Sequence, residues 1–96
     1  MNLFSDYQKK IIIILKKLDK QKIIKMPPSI KGVTVDLPPK KHKADLSCNA
    51  AMIIAKINNK TSLEWAEILK KHLLLNFKEF ENAYVAGPGF INIVFK

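Results

Sequence analysis

An α+β fold is predicted, a small and mostly antiparallel sheet with three helices packed on one face. Three observations predict it. Ser5-x-x-Gln8 and Thr61-x-x-Glu64 each stand ahead of apolar residues at helical spacing, the signature of a capped amphipathic helix. Residues 33–37 instead alternate apolar and polar side chains, the period of a half-buried strand, and a tight Gly87-Pro88-Gly89 turn feeds a second strand at the C-terminus. Two helices then fall between the first strand and the next, so the strands pair mostly antiparallel with the helices on one side and the other side free for a ligand.

Taken in order, the first helix is expected from Asp6 to Lys25 with Ser5 as N-cap, gathering Phe4, Tyr7, Ile11, Ile14, Leu15 and Leu18 on one side and Lys9, Lys10, Lys16, Lys17 and Lys20 on the other. Pro27-Pro28 ends it, because proline lacks the helical donor and restricts its predecessor. Gly32 opens a strand, Val33 to Leu37, with Val33, Val35 and Leu37 facing inward. The stiff cationic loop Pro38-Pro39-Lys40-Lys41-His42-Lys43 follows. Asp45 reads as the N-cap of a second helix reaching Ile57, with Asn49 a packed amide in its first turn, and Asn58-Asn59 breaks it. Thr61 and Glu64 start the third helix, which ends near Asn76. A strand from Phe80 to Ala86, a Gly87-Pro88-Gly89 turn and a final strand complete a single domain over residues 1–96.

Charge bounds the function. The chain carries 17 basic residues against 8 acidic ones, a formal net charge of +9, and every basic residue is lysine. Such a field points to a polyanion, nucleic acid first and an anionic membrane second. Without arginine there is no bidentate guanidinium readout, so lysines position a phosphate backbone while amides and rings supply specificity. Cys48 is the single cysteine, which excludes an internal disulfide and a multi-cysteine metal site and fits a reducing, cytoplasmic setting. The apolar run Ile11 to Leu15 is too short for a signal-peptide core or a membrane span, so no membrane partner is expected; the chain is read as a monomer.

The C-terminal strand carries the candidate site. Ile91, Ile93 and Phe95 share its core face, whereas Phe90, Asn92 and Val94 share the other. A ring that stacks on an unpaired base and a carboxamide that pairs with a base edge, amid lysines, form an RNA-contacting surface, and both side chains are expected to project to solvent. Lys40, Lys41 and Lys43 are the candidate phosphate contacts, since two prolines limit the entropy their loop loses on binding. The Gly87-Pro88-Gly89 turn supplies positive φ and a bare backbone that a sugar or base can approach closely. Two other readings compete. One is a basic module that docks on acidic proteins or anionic membranes; the other is a minimal enzyme using Cys48 as nucleophile with His42. Neither a catalytic residue nor a metal site is assigned, and His72 is read as structural.

Two segments, Lys43-Ala44-Asp45-Leu46-Ser47-Cys48-Asn49-Ala50-Ala51-Met52 and Ala86-Gly87-Pro88-Gly89-Phe90-Ile91-Asn92, resemble the N-terminal additional domain of arginyl-tRNA synthetases, and the resemblance extends over essentially the whole chain. Ala44 stands where that family commonly has glycine, and Gly87 where some members have asparagine. The resemblance implies an α/β module that grips the tRNA elbow, with Phe90 and Asn92 at the positions that contact the D-loop. It further implies a longer parent enzyme that joins arginine to its tRNA with ATP and magnesium, through catalytic and anticodon-binding domains outside these residues. This portion would be noncatalytic and hold no cofactor of its own.

Overall fold

The structure, a computed structural model, describes residues 2–96. Helix α1 (Leu3–Lys20) leads into β1 (Val35–Asp36) and β2 (Leu46–Cys48), then α2 (Ala50–Ala55), α3 (Ser62–Asn76), β3 (Phe80–Ala86) and β4 (Phe90–Phe95). All pairings are antiparallel, in the order β1-β2-β4-β3. The α+β class and the three helices are as expected; a fourth strand, β2, is not.

That strand corrects the reading of Asp45. Instead of capping a helix, its backbone N–H donates to Ile93 O at 2.8 Å and its carboxylate accepts from Phe95 N at 2.8 Å, fastening β2 to β4. Leu46 pairs with Ile93, Ser47 with Asn92 and Cys48 with Ile91, which puts Leu46, Cys48, Ile91 and Ile93 together in the core. Helix α2 starts only at Ala50. Asn49 precedes it without a side-chain cap bond; its carboxamide accepts from Thr34 N at 2.7 Å and donates to Gly32 O at 2.8 Å, holding the approach to β1.

Helix α1 also starts and stops earlier than expected. Asn2, not Ser5, caps it by accepting from Phe4 N and Ser5 N, and Gln8 donates to Val33 O rather than closing a capping box. At the other end Ile23 N bonds Leu18 O and Lys22 N bonds Asp19 O, with Lys22 at φ 64°: a Schellman stop built on a left-handed lysine, five residues before the prolines could act. Helix α3 matches expectation, with both halves of the Thr61–Glu64 capping box present. Val33 and Val35 face inward, but β1 ends at Asp36 and Leu37 is exposed, because Pro38 is buried and turns the chain away.

One end of the core is aromatic. Tyr7 packs against Phe77, Phe80 and Phe95 with ring centroids 5.3–5.9 Å apart, and its hydroxyl donates to Glu79 Oε2 at 2.6 Å. Burial and then this bond push the Tyr7 pKa up to about 12, while the same bond draws the Glu79 carboxyl below its ordinary range. A raised phenol pKa means that the unfolded chain loses its proton first. The Tyr7 contribution is therefore whole between neutral pH and pH 10 and is lost as pH rises toward 12, while the depressed Glu79 carboxyl means that it is also lost in acid as that group takes up its proton. In urea unfolding, the stability advantage of the wild type over Tyr7→Phe should hold steady from neutral pH to pH 10 and shrink between pH 10 and 12. A difference that stays flat through that window contradicts the clamp.

Candidate nucleic-acid interface

Register places one polar row across the whole open face of the sheet. Asp36 pairs with Ser47, Ser47 with Asn92, and Asn92 with Tyr84, so all four share that face. The loop from Leu37 to Lys43 folds back over this row. It is ordered by two short bonds, His42 N to Pro39 O and Ala44 N to His42 O, each 2.9 Å, and His42 approaches Tyr84 with ring centroids 6.4 Å apart. Between this loop and the Gly87-Pro88-Gly89 turn lies a cleft of about 370 Å³, with Asn92 and Ser47 at its floor, Phe90 and Pro88 on one side and Lys41 and His42 on the other. That volume suits one small organic ligand or one nucleoside.

The sequence-derived pair is brought together here, with one correction. Phe90 is 39% exposed, as expected, but Asn92 is only 1% exposed and does not project to solvent. The loop and the neighbouring strands enclose it. Its Oδ1 has no hydrogen-bond partner, an arrangement that costs roughly 1–3 kcal/mol for a buried polar atom. An unpaired acceptor beneath a half-exposed ring is an arrangement that a ligand with a hydrogen-bond donor completes.

The lysines divide. Lys41 lines the cleft, whereas Lys40 and Lys43 are exposed on the same loop. Among the described residues the one ion pair is Lys70–Glu67 at 2.9 Å, so no loop lysine is neutralised by a carboxylate. Cys48 is fully buried in the core, and burial pushes its thiol up to about 11, which removes the nucleophile that a Cys48–His42 enzyme needs. Among the described residues no three His, Cys, Asp or Glu side chains gather as metal ligands, and no helix is long and apolar enough to cross a membrane. Asp36, Ser47 and Tyr84 were not legible as site residues. Their place depends on strand register, which single-chain patterning does not encode.

The fold and cleft define a small basic α+β domain with a cleft on the open face of its sheet. Residues 5–95 match the model of the arginyl tRNA synthetase N terminal domain, and the chain belongs to that family. It is 43% identical over 96 residues to the arginine–tRNA ligase of Pelagibacter ubique, covering all of this chain and 17% of that protein. Similarity to the arginine–tRNA ligase of Wolbachia from Brugia malayi is 39% over 84 residues, and to that of Paracoccus denitrificans 34% over 93 residues. These cover 88% and 97% of the chain but only 14% and 16% of the relatives.

The two turn glycines do different work. Gly87 sits at φ +57°, where a Cβ would meet only Phe90 Cδ2, at an ordinary contact distance of 3.6 Å. Gly89 sits at φ +142°, where a Cβ would lie 2.9 Å from Ser62 Cβ and 3.2 Å from Met52 Cγ. Gly89 thus lets the turn press against the helical layer, whereas a side chain at Gly87 would overlap nothing and only touch the Phe90 ring. In thermal melts Gly87→Ala should cost about 1 kcal/mol, and Gly89→Ala at least about twice that, since strain and overlap add. Equal losses would contradict this division.

Proposed function

We propose that this chain is the noncatalytic tRNA-recognition portion of an arginine–tRNA ligase, gripping the elbow of arginine tRNA through its D-loop. In the parent, arginylation would use ATP and magnesium and be carried out in the cytoplasm, by a monomer, in catalytic and anticodon-binding domains beyond these residues. The observation that carries the reading is the unpaired, buried Asn92 carboxamide at the base of a nucleoside-sized cleft, beside the half-exposed ring of Phe90.

The mechanism is recognition. A splayed base slides beneath the loop and stacks on Phe90 while its edge satisfies Asn92. Lys40, Lys41 and Lys43 meet the flanking phosphates as point charges on a loop already ordered by its prolines and turn bonds, so little entropy is lost on binding. Family membership supports tRNA as the polyanion, and the charge of +9 agrees in sign. Steadying the elbow helps to place the acceptor end in the catalytic domain, improving kcat/KM through added binding energy and orientation.

Stacking on one base is worth roughly 1–3 kcal/mol, so Phe90→Ala should weaken tRNA binding about tenfold or more in filter-binding titrations of the folded variant. Unchanged affinity would refute the stacking role. Each phosphate engaged contributes roughly 0.7–0.9 to the slope of log affinity against log salt. Replacing Lys40, Lys41 and Lys43 together by alanine should therefore flatten that slope by about 2, and an identical slope would remove the loop from the interface.

A further inference from the structure

Resting on this RNA-recognition reading, we propose that Asp36 holds the ribose of the nucleotide in the cleft, accepting a hydrogen bond from its 2′-hydroxyl and making the site selective for ribonucleotide over deoxyribonucleotide. Three observations meet at this residue. Asp36 lines the same cleft as Phe90 and Asn92 and lies in the same row as Asn92, with Ser47 between them. Two inter-strand spacings, about 10 Å between Cα atoms, separate it from Asn92, a span that suits a whole nucleoside better than a base alone.

Charge narrows the partner. Among the described residues Asp36 makes no ion pair, not even with Lys41 across the cleft, so its carboxylate stays free to accept. An ionised carboxylate only accepts hydrogen bonds and repels phosphate, so a neutral donor is the fitting partner. The base edge is taken up two strands along the row by Asn92, which leaves the sugar hydroxyls for Asp36.

Position along the chain agrees. Strand β1 lies at the edge of the sheet and runs directly into the loop carrying Lys40, Lys41 and Lys43. The ribose of a nucleotide whose base reaches toward β4 would then sit between that base and lysines placed for its own phosphates. The 2′-hydroxyl is the group by which a protein distinguishes RNA from DNA at one site.

The test uses the 96-residue chain and arginine tRNA assembled from two ligated synthetic halves, so that each D-loop ribose can be made 2′-deoxy in turn. With wild-type protein, one position should lose about tenfold in affinity, the scale of a hydrogen bond to a charged acceptor. With Asp36→Ala, whose fold is checked by circular dichroism, the penalty at that same position should vanish while the penalties elsewhere stay the same. If no single deoxy position weakens wild-type binding, or if Asp36→Ala keeps the full penalty, the assignment is overturned although the D-loop reading stands. If wild-type protein binds no tRNA at all, the RNA reading itself falls, and the Asp36 assignment with it.

Discussion

The pairing of Leu46–Cys48 against Ile91–Ile93 is the constraint on which this domain depends. It buries β4 between β2 and β3, so that the alternation of one six-residue strand serves two purposes at once. Ile91 and Ile93 close the core, and Asn92, pointing the other way, is fixed at the centre of the opposite face with no freedom to move to an edge. Asp45 secures this pairing at both its backbone and its side chain. A slip of one residue would turn the isoleucines outward and Asn92 inward, a change the hydrophobic core forbids.

The core and the candidate site are therefore separable in space but joined by one strand. The helical layer and the aromatic cluster around Tyr7 supply the buried area, and Gly89 lets the hairpin turn sit directly against Ser62 and Met52. The opposite face is covered only by the proline-stiffened loop, which leaves a cleft rather than a second core. A buried, unpaired carboxamide there lowers the stability of the free protein and is restored by a partner that donates to it. With lysine in place of every arginine, the proposed RNA reading leaves phosphate binding to point charges and base discrimination to Asn92 and Phe90.

Much of this was legible in the chain, and the gaps have physical causes. Helix α3 was readable because Thr61 and Glu64 encode their own reciprocal bonds, and β4 because a Gly-Pro-Gly turn feeds directly into it. Strand β2 was not, since Leu46-Ser47-Cys48 is too short to show a period and Asp45 before it has the chemistry of a helix cap. The end of α1 was missed because its left-handed stop falls on Lys22 where glycine is the usual signal. For the candidate site, Phe90 and Asn92 were placed on one strand face by side-chain alternation, but the burial of Asn92 follows from a loop folding over the sheet and from non-local register. Asp36, Ser47 and Tyr84 became visible for the same reason only once the strands were paired.

The most direct measurement follows the Asn92 side-chain amide by nitrogen-edited magnetic resonance while arginine tRNA is added. The account predicts that this amide pair shifts with the Phe90 signals and becomes protected from exchange, and that tRNA lacking its D-loop nucleotides leaves it in place. An Asn92 amide that stays unmoved while intact tRNA perturbs only the lysine loop would show that the cleft reads no base.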